Sequence, residues 1–156
     1  LRAALGNLPA YLDELDRLPL GAAHGDTCPN NLLRTPDPGF VLIDFGFWST
    51  QVLGFDLAQL ILGEVQLGRT AVAEVPRIEA ACLEGYVDGV RAEGCVTAAA
   101  AIRRAYLLKA FIYTGLTAVP FEDLDQPMTA ALCRHARERA ALARYLLDEI
   151  AATEPV

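Results

Sequence analysis

Two short runs carry the side chains with chemistry in this chain: His24-Gly25-Asp26-Thr27-Cys28-Pro29-Asn30-Asn31 and Val41-Leu42-Ile43-Asp44-Phe45-Gly46. Together they supply two carboxylates and a carboxamide. Such a set suits phosphoryl transfer to an alcohol, which asks little covalent chemistry of a protein. One carboxylate orients the hydroxyl and takes its proton, while oxygen donors hold a metal ion that neutralises phosphate charge. Asp26 is the candidate for the first task. Asn31, five residues on, can offer its amide oxygen to a hard cation such as Mg2+ from the far side of the same loop. Asp44 can bridge that ion to nucleotide phosphates.

The neighbours of these residues read as support. His24 precedes Gly-Asp at a loop entrance, where a histidine packs and hydrogen-bonds to fix the loop more often than it acts as a general base. Gly25 and Gly46 are expected at backbone geometries that a side chain would hinder. Cys28 reads as a loop thiol and not a nucleophile, because no second histidine lies near it in sequence and Pro29 follows it.

A hairpin is expected to position the two runs. Asn31-Leu32-Leu33-Arg34 and Phe40-Val41-Leu42-Ile43-Asp44 are short apolar strands, and Thr35-Pro36-Asp37-Pro38-Gly39 between them is a turn by composition. With the turn centred near Asp37-Pro38, Asn31 and Asp44 are about equidistant from it and should meet across the pair.

The rest is helical scaffold. Residues 2–18 carry Leu5, Leu8, Leu12, Leu15 and Leu18 as an apolar stripe, with Asp13, Glu14, Asp16 and Arg17 on the wet side. The regular part begins near Leu8 or Pro9, and Pro19-Leu20-Gly21 ends it. Further helices are expected over 56–67, stopped by Gly68, and over 76–93, opened by Pro76 and closed by Gly94. A third runs over 97–118, capped by Thr97 and ending before Pro120, and a last one over 127–151, with Arg134, Arg137, Glu138, Arg139 and Arg144 on its surface. Tyr106 and Tyr113, seven apart on one helix face, read as core. The tail from Thr153 is expected to fray.

Composition narrows the class. The 156 residues fit one domain with a real core, and 53% apolar against 21% charged residues is a globular balance. Thirteen basic and twenty acidic side chains leave a net charge of −7, which repels phosphate backbones and argues against nucleic acid as a partner. Cys28, Cys82, Cys95 and Cys133 contain no Cys-x-x-Cys pair, so zinc is poorly supported. They read as reduced, mostly buried thiols of a cytoplasmic protein. The longest apolar helical run, 105–119, is interrupted by Lys109 and falls short of the ~20 residues that span a bilayer. No membrane partner is expected. The chain opens at Leu1 without a signal-peptide pattern and in the approach to a helix, and further residues are expected upstream.

His-Gly-Asp-x-x-x-x-Asn, followed by an apolar strand ending in Ile-Asp-Phe-Gly, resembles the aminoglycoside phosphotransferase and choline kinase-like family, which shares the protein-kinase-like fold. The combined pattern is far more specific than either half. The resemblance implies a predominantly helical α+β fold over residues 1–156. This is the C-terminal, catalytic lobe, with a small β-hairpin carrying the active-site loops. It implies Asp26 as catalytic aspartate, and Asn31 and Asp44 as Mg2+ ligands. His24, Gly25 and Gly46 support them, and Asp56, in Gly54-Phe55-Asp56-Leu57-Ala58, caps backbone amides and braces the catalytic loop. The implied reaction transfers the γ-phosphoryl group of ATP or GTP to a hydroxyl of a small molecule: an aminoglycoside, another antibiotic, an amino alcohol, a sugar or a metabolite.

The chain has no Gly-rich strand-turn-strand and no strand lysine to hold nucleotide phosphates. Its one lysine, Lys109, falls in a late helix and does not match. The nucleotide-binding N-terminal lobe is thus expected to lie outside this chain, which alone should be inactive. The surface that lobe would cover invites self-association. A non-catalytic, degenerate kinase-like binding module is the alternative. Two substrate features stay open. Trp48 either walls the pocket beyond the metal site or packs its own segment. Glu122, Asp123 and Asp125 either attract an amine or form a solvated loop, the blander reading being favoured.

Overall fold

The computed structural model describes residues 2–119, 121–123 and 125–153. Pro120, the side chain of Asp123, and the tail beyond Thr153 lie outside the described residues. The chain is mostly helical with two small antiparallel pairs: α1 (Arg2–Gly6), α2 (Leu8–Leu15), β1 (Leu20–Ala23), β2 (Leu32–Arg34), β3 (Phe40–Leu42), β4 (Ser49–Val52), α3 (Phe55–Gln66), α4 (Val75–Ala92), α5 (Ala99–Ala110) and α6 (Ala130–Ala152). The expected α+β class is observed, and no helix among the described residues is long and apolar enough to cross a membrane.

The expected hairpin is β2–β3, pairing Leu32 with Leu42 and Arg34 with Phe40. Its turn closes with the Thr35 amide donating to the Gly39 carbonyl at 3.1 Å. An odd-numbered turn centres the register on Asp37, so Asn31 faces Ile43, whose amide donates to the Asn31 carbonyl at 3.1 Å. Asp44 therefore falls one position beyond the expected pairing. It sits at φ 63°, the one non-glycine residue at positive φ among those described. That left-handed step turns the chain out of β3 into a short 3₁₀ turn, Phe45–Phe47.

A second ribbon, β1–β4, was not anticipated. It pairs Leu20 with Val52 and Ala23 with Ser49, and the Leu53 amide donates to the Pro19 carbonyl at 2.8 Å beyond it. Leu-Gly-Ala-Ala carries little β-propensity by itself, and only its partner strand, Ser49–Val52, defines it. The ribbon ends in Gly54, at φ 96°, where a Cβ would stand 2.7 Å from the Ile102 carbonyl oxygen. The Tyr86 hydroxyl accepts the Gly54 amide at 3.0 Å, and burial pushes that phenol's pKa up.

The core lies where α3 packs on α4, α5 and α6. Leu57, Ile61 and Leu62 of α3 meet Ile102, Tyr106 and Leu107 of α5, and Leu142 and Leu146 of α6. Helix α5 is buried on almost every side, as an apolar helix in the centre of a bundle must be. Each fully buried Leu or Ile contributes roughly 1.5–3 kcal/mol.

Several expectations are corrected. The single stripe over 2–18 is two helices, with Leu5 and Leu12 exposed. Glu14 is not on a wet face but buried, where the Arg104 guanidinium donates to both its carboxylate oxygens at 2.7 and 2.9 Å and to the Ile150 carbonyl at 2.7 Å. Arg139 is likewise buried, donating to the Thr117 carbonyl and to Glu122. Thr97 caps nothing and instead accepts the Cys95 thiol at 3.2 Å. Helix α6 is capped by Thr129, whose hydroxyl accepts the Leu132 amide at 3.1 Å. All four cysteines are half-buried and unpaired. Finally, α5 widens into a π-turn over Phe111–Gly115, with the Leu116 amide reaching the Phe111 carbonyl at 2.9 Å. The wider turn rotates Tyr113 off the face of Tyr106, leaving Tyr113 exposed and Tyr106 buried.

Removing one partner of a buried ion pair is costly. Arg104→Ala should therefore lower unfolding stability by about 3 kcal/mol or more, whereas Arg104→Met combined with Glu14→Leu should come close to the parent. Urea unfolding measures both. A loss under about 1 kcal/mol for the single variant would contradict the assignment.

Candidate active site

The site is built at the end of β1. Strand β1 delivers His24, and the chain turns through Gly25 at φ 85°, where a Cβ would come within 2.3 Å of the Phe47 carbonyl oxygen. Only glycine fits there. Gly46 carries no such constraint, since a Cβ would meet nothing closer than Asp44 Oδ1 at 3.5 Å. The expected backbone role thus holds for Gly25 and not for Gly46.

The first turn of α3 clamps this loop. One Asp56 oxygen accepts the His24 amide at 2.9 Å, and the other accepts the Gly25 amide at 3.0 Å. The Thr27 hydroxyl donates to the Asp56 carbonyl at 2.5 Å. Asp56 thereby caps amides of the loop and not those of its own helix, whose N-cap is Gly54. A carboxylate accepting two consecutive amides makes charge-assisted bonds, roughly twice as strong as neutral ones.

His24 is buried, and both of its ring nitrogens are engaged. Nδ1 accepts the Asp26 amide at 3.3 Å, which leaves the proton on Nε2, donated to the Ile43 carbonyl at 2.9 Å. The imidazole thus ties the residue before Asp44 to the backbone of Asp26, and Phe45 packs on its face at 4.7 Å. Trp48 lies 5.9 Å from Phe45 between ring centroids and is otherwise exposed.

Asp26 is partly exposed and held at both oxygens. Asn31 Nδ2 donates to Oδ2 at 3.0 Å and to the Asp26 carbonyl at 2.8 Å. Gln59 Nε2 donates to Oδ1 at 2.6 Å. With its amide hydrogens turned to Asp26, Asn31 presents Oδ1 with no hydrogen bond among the described residues. Asp44 is exposed, one residue past Ile43, and its carboxylate leans over Gly46. Among the described residues no three His, Cys, Asp or Glu side chains could hold a metal ion. The candidate donors are instead one carboxamide and one carboxylate, Asn31 at the end of the 3₁₀ turn before β2 and Asp44 just past β3. That set fits Mg2+, which keeps waters and substrate oxygens in its shell.

Next to the Gly25 loop opens a cavity of about 270 Å³. It is lined by Gly25, Phe55 and Gln59 from the loop and the first turns of α3, by Lys109 from the last turn of α5, and by Tyr113 and Thr114 from the π-turn. Lys109 Nζ lies 5.4 Å from the centroid of Phe55 and 5.6 Å from that of Tyr113. Burial pushes its pKa down against the opposing field of Asp16. The acidic loop is elsewhere. Glu122 is bound to Arg139, and its own backbone amide, together with Arg139, lowers its pKa. Asp125 accepts the side-chain amide of Gln126 at 3.3 Å. Neither lines the cavity, and the side chain of Asp123 lies outside the described residues.

Gln59, Lys109 and Tyr113 were not among the expected site residues. Gln59 had a signal: it lies three residues after Asp56, on the same helical face. Tyr113 had none, because only the π-turn exposes it.

A family model described as the phosphotransferase enzyme family matches residues 1–92, which span α1 to α4 and contain both motif loops. The chain belongs to that family. No curated protein and no solved structure matches it.

Gly25→Ala should cost at least about 2 kcal/mol, from the left-handed backbone and the clash with Phe47. Gly46→Ala should stay within about 1 kcal/mol. Thermal unfolding of the two variants separates them, and equal losses would contradict the close approach at Gly25.

Proposed function

We propose that residues 1–156 form the catalytic, C-terminal lobe of a small-molecule kinase of protein-kinase-like fold, which transfers the γ-phosphoryl group of ATP or GTP to a hydroxyl. The observation that carries this reading is the Asp26 carboxylate, fixed by Asn31 and by Gln59, a residue that also lines a cavity of small-molecule size. Family membership supplies the reaction class. Two further features support a lobe completed by a nucleotide-binding partner lobe. The sequence holds no Gly-rich hairpin with a strand lysine, and Phe40, Val41, Leu42, Phe47 and Trp48 stand exposed on one hairpin and its following turn.

In this reading an acceptor hydroxyl approaches Asp26 from the cavity. The two amide donors hold the carboxylate in one orientation, so that a remaining lone pair faces the hydroxyl. Asp26 orients that hydroxyl and accepts its proton as the oxygen attacks phosphorus. Positioning supplies most of the rate, so rigidity of the loop matters more than the basicity of Asp26. Asn31 Oδ1 and Asp44 would hold Mg2+, which supplies charge neutralisation on the phosphates. His24 keeps the two loops in register and has no free nitrogen for proton transfer. Asp56 acts through the loop backbone as a positioning residue.

In the protein carrying both lobes, assayed with ATP and GTP, Asp26→Asn should lower kcat at least about a hundredfold while unfolding stability stays within about 1 kcal/mol. Retained kcat would remove Asp26 from its role.

A further inference from the structure

The cavity next to the Gly25 loop carries a cation in its lining, although the chain is acidic. The protein carries a net −7, yet the one charged side chain among those lining the cavity is Lys109. Lys109 is also the only lysine in the sequence. Among the described residues its ammonium makes no hydrogen bond or ion pair. Its contacts are the faces of Phe55 and Tyr113, which leave its N–H donors without oxygen partners. Asp16 is near enough to act on it through space but forms no bond with it. The remaining polar lining is uncharged: Gln59, Gln66, Tyr113 and Thr114.

We infer that the acceptor received in this cavity is a small hydroxyl compound bearing a carboxylate or a phosphate, bound through Lys109 with its hydroxyl turned to Asp26. This rests on the phosphotransferase reading for the role of Asp26, but not for the anion site itself. A polyamine would meet a half-buried cation here and no carboxylate among the residues that line the cavity. The desolvation cost of the ammonium is recovered only by a ligand that supplies negative charge. The aromatic pair on either side sets the ammonium's position, so the anion finds its partner already placed. The volume, just below the usual range for drug-sized ligands, also favours a compact acceptor.

The single lysine makes the test direct. Residues 1–156 carrying carbon-13 at the lysine Cε give one side-chain signal, that of Lys109. The chain is titrated in turn with glycerate, glycerol 3-phosphate, glycerol, ethanolamine and the aminoglycoside neamine. The expected result is a saturable shift with at least one anion, with a dissociation constant in the millimolar range or tighter, and none with glycerol or the amines. By calorimetry, Lys109→Met should weaken that anion at least about tenfold, and Lys109→Arg should keep it within a few-fold. No saturable shift with either anion, or a shift with an amine, overturns the proposal. In the two-lobe protein, competition between the anion and MgATP, read by calorimetry, also overturns it, because the ammonium would then belong to nucleotide phosphate. The titration is repeated on Asp26→Asn, where the anion should still bind. If it does while Asp26→Asn also keeps full turnover in the two-lobe protein, the kinase role of Asp26 falls and the anion site stands.

Discussion

One carboxylate holds the site together. Asp56 accepts the amides of His24 and Gly25 in succession, and without that clamp the loop after β1 has no regular partner. Strand pairing ends at Ala23, and the next helical turn begins only at Pro29. The residues between need their backbone donors met, and α3 meets two of them with a single side chain. The cost of ordering the loop is carried by α3, whose apolar face is anchored in the core through Leu57, Ile61 and Leu62. The placement of Asp26 thus depends on how a helix is buried, several residues from any chemistry.

From that clamp the rest of the site follows in two directions. His24 reaches across to Ile43 and fixes the second loop relative to the first. Gln59, one turn along α3 from Asp56, holds Asp26 from the cavity side. The cavity exists because α5 ends in a π-turn. Phe111 lies against Gly115, where a Cβ would stand 2.5 Å from its ring, and the widened turn swings Tyr113 out beside Lys109. A local irregularity in the most buried helix therefore shapes one wall of the cavity. Such widened turns recur at functional positions.

Much of this was legible in the sequence because it rests on local signals. The two motif loops, the hairpin between them and the helices opened by Pro76 and closed by Gly68 and Gly94 all announce themselves within a few residues. What escaped depends on partners distant in the chain. The β1–β4 ribbon has weak strands that only pairing defines. Glu14 and Arg104 are 90 positions apart, and a charged residue in a helical stripe reads as solvent-facing unless its partner is known. The hairpin register was off by one because an odd-membered turn and an even-membered one have the same composition. Lys109 was set aside because it falls in a late helix and matches no strand lysine, and Tyr113 by a rule of helical spacing that a π-turn suspends.

The account depends on Asp56 gripping the loop backbone, and amide hydrogen exchange reads that grip residue by residue. The His24 and Gly25 amides should be protected at least about a hundredfold over an unstructured chain. Asp56→Ala should release these two while the β1 amides paired with β4 keep their protection. Exchange of His24 and Gly25 at unprotected rates in the parent chain, or protection that survives Asp56→Ala, would contradict it.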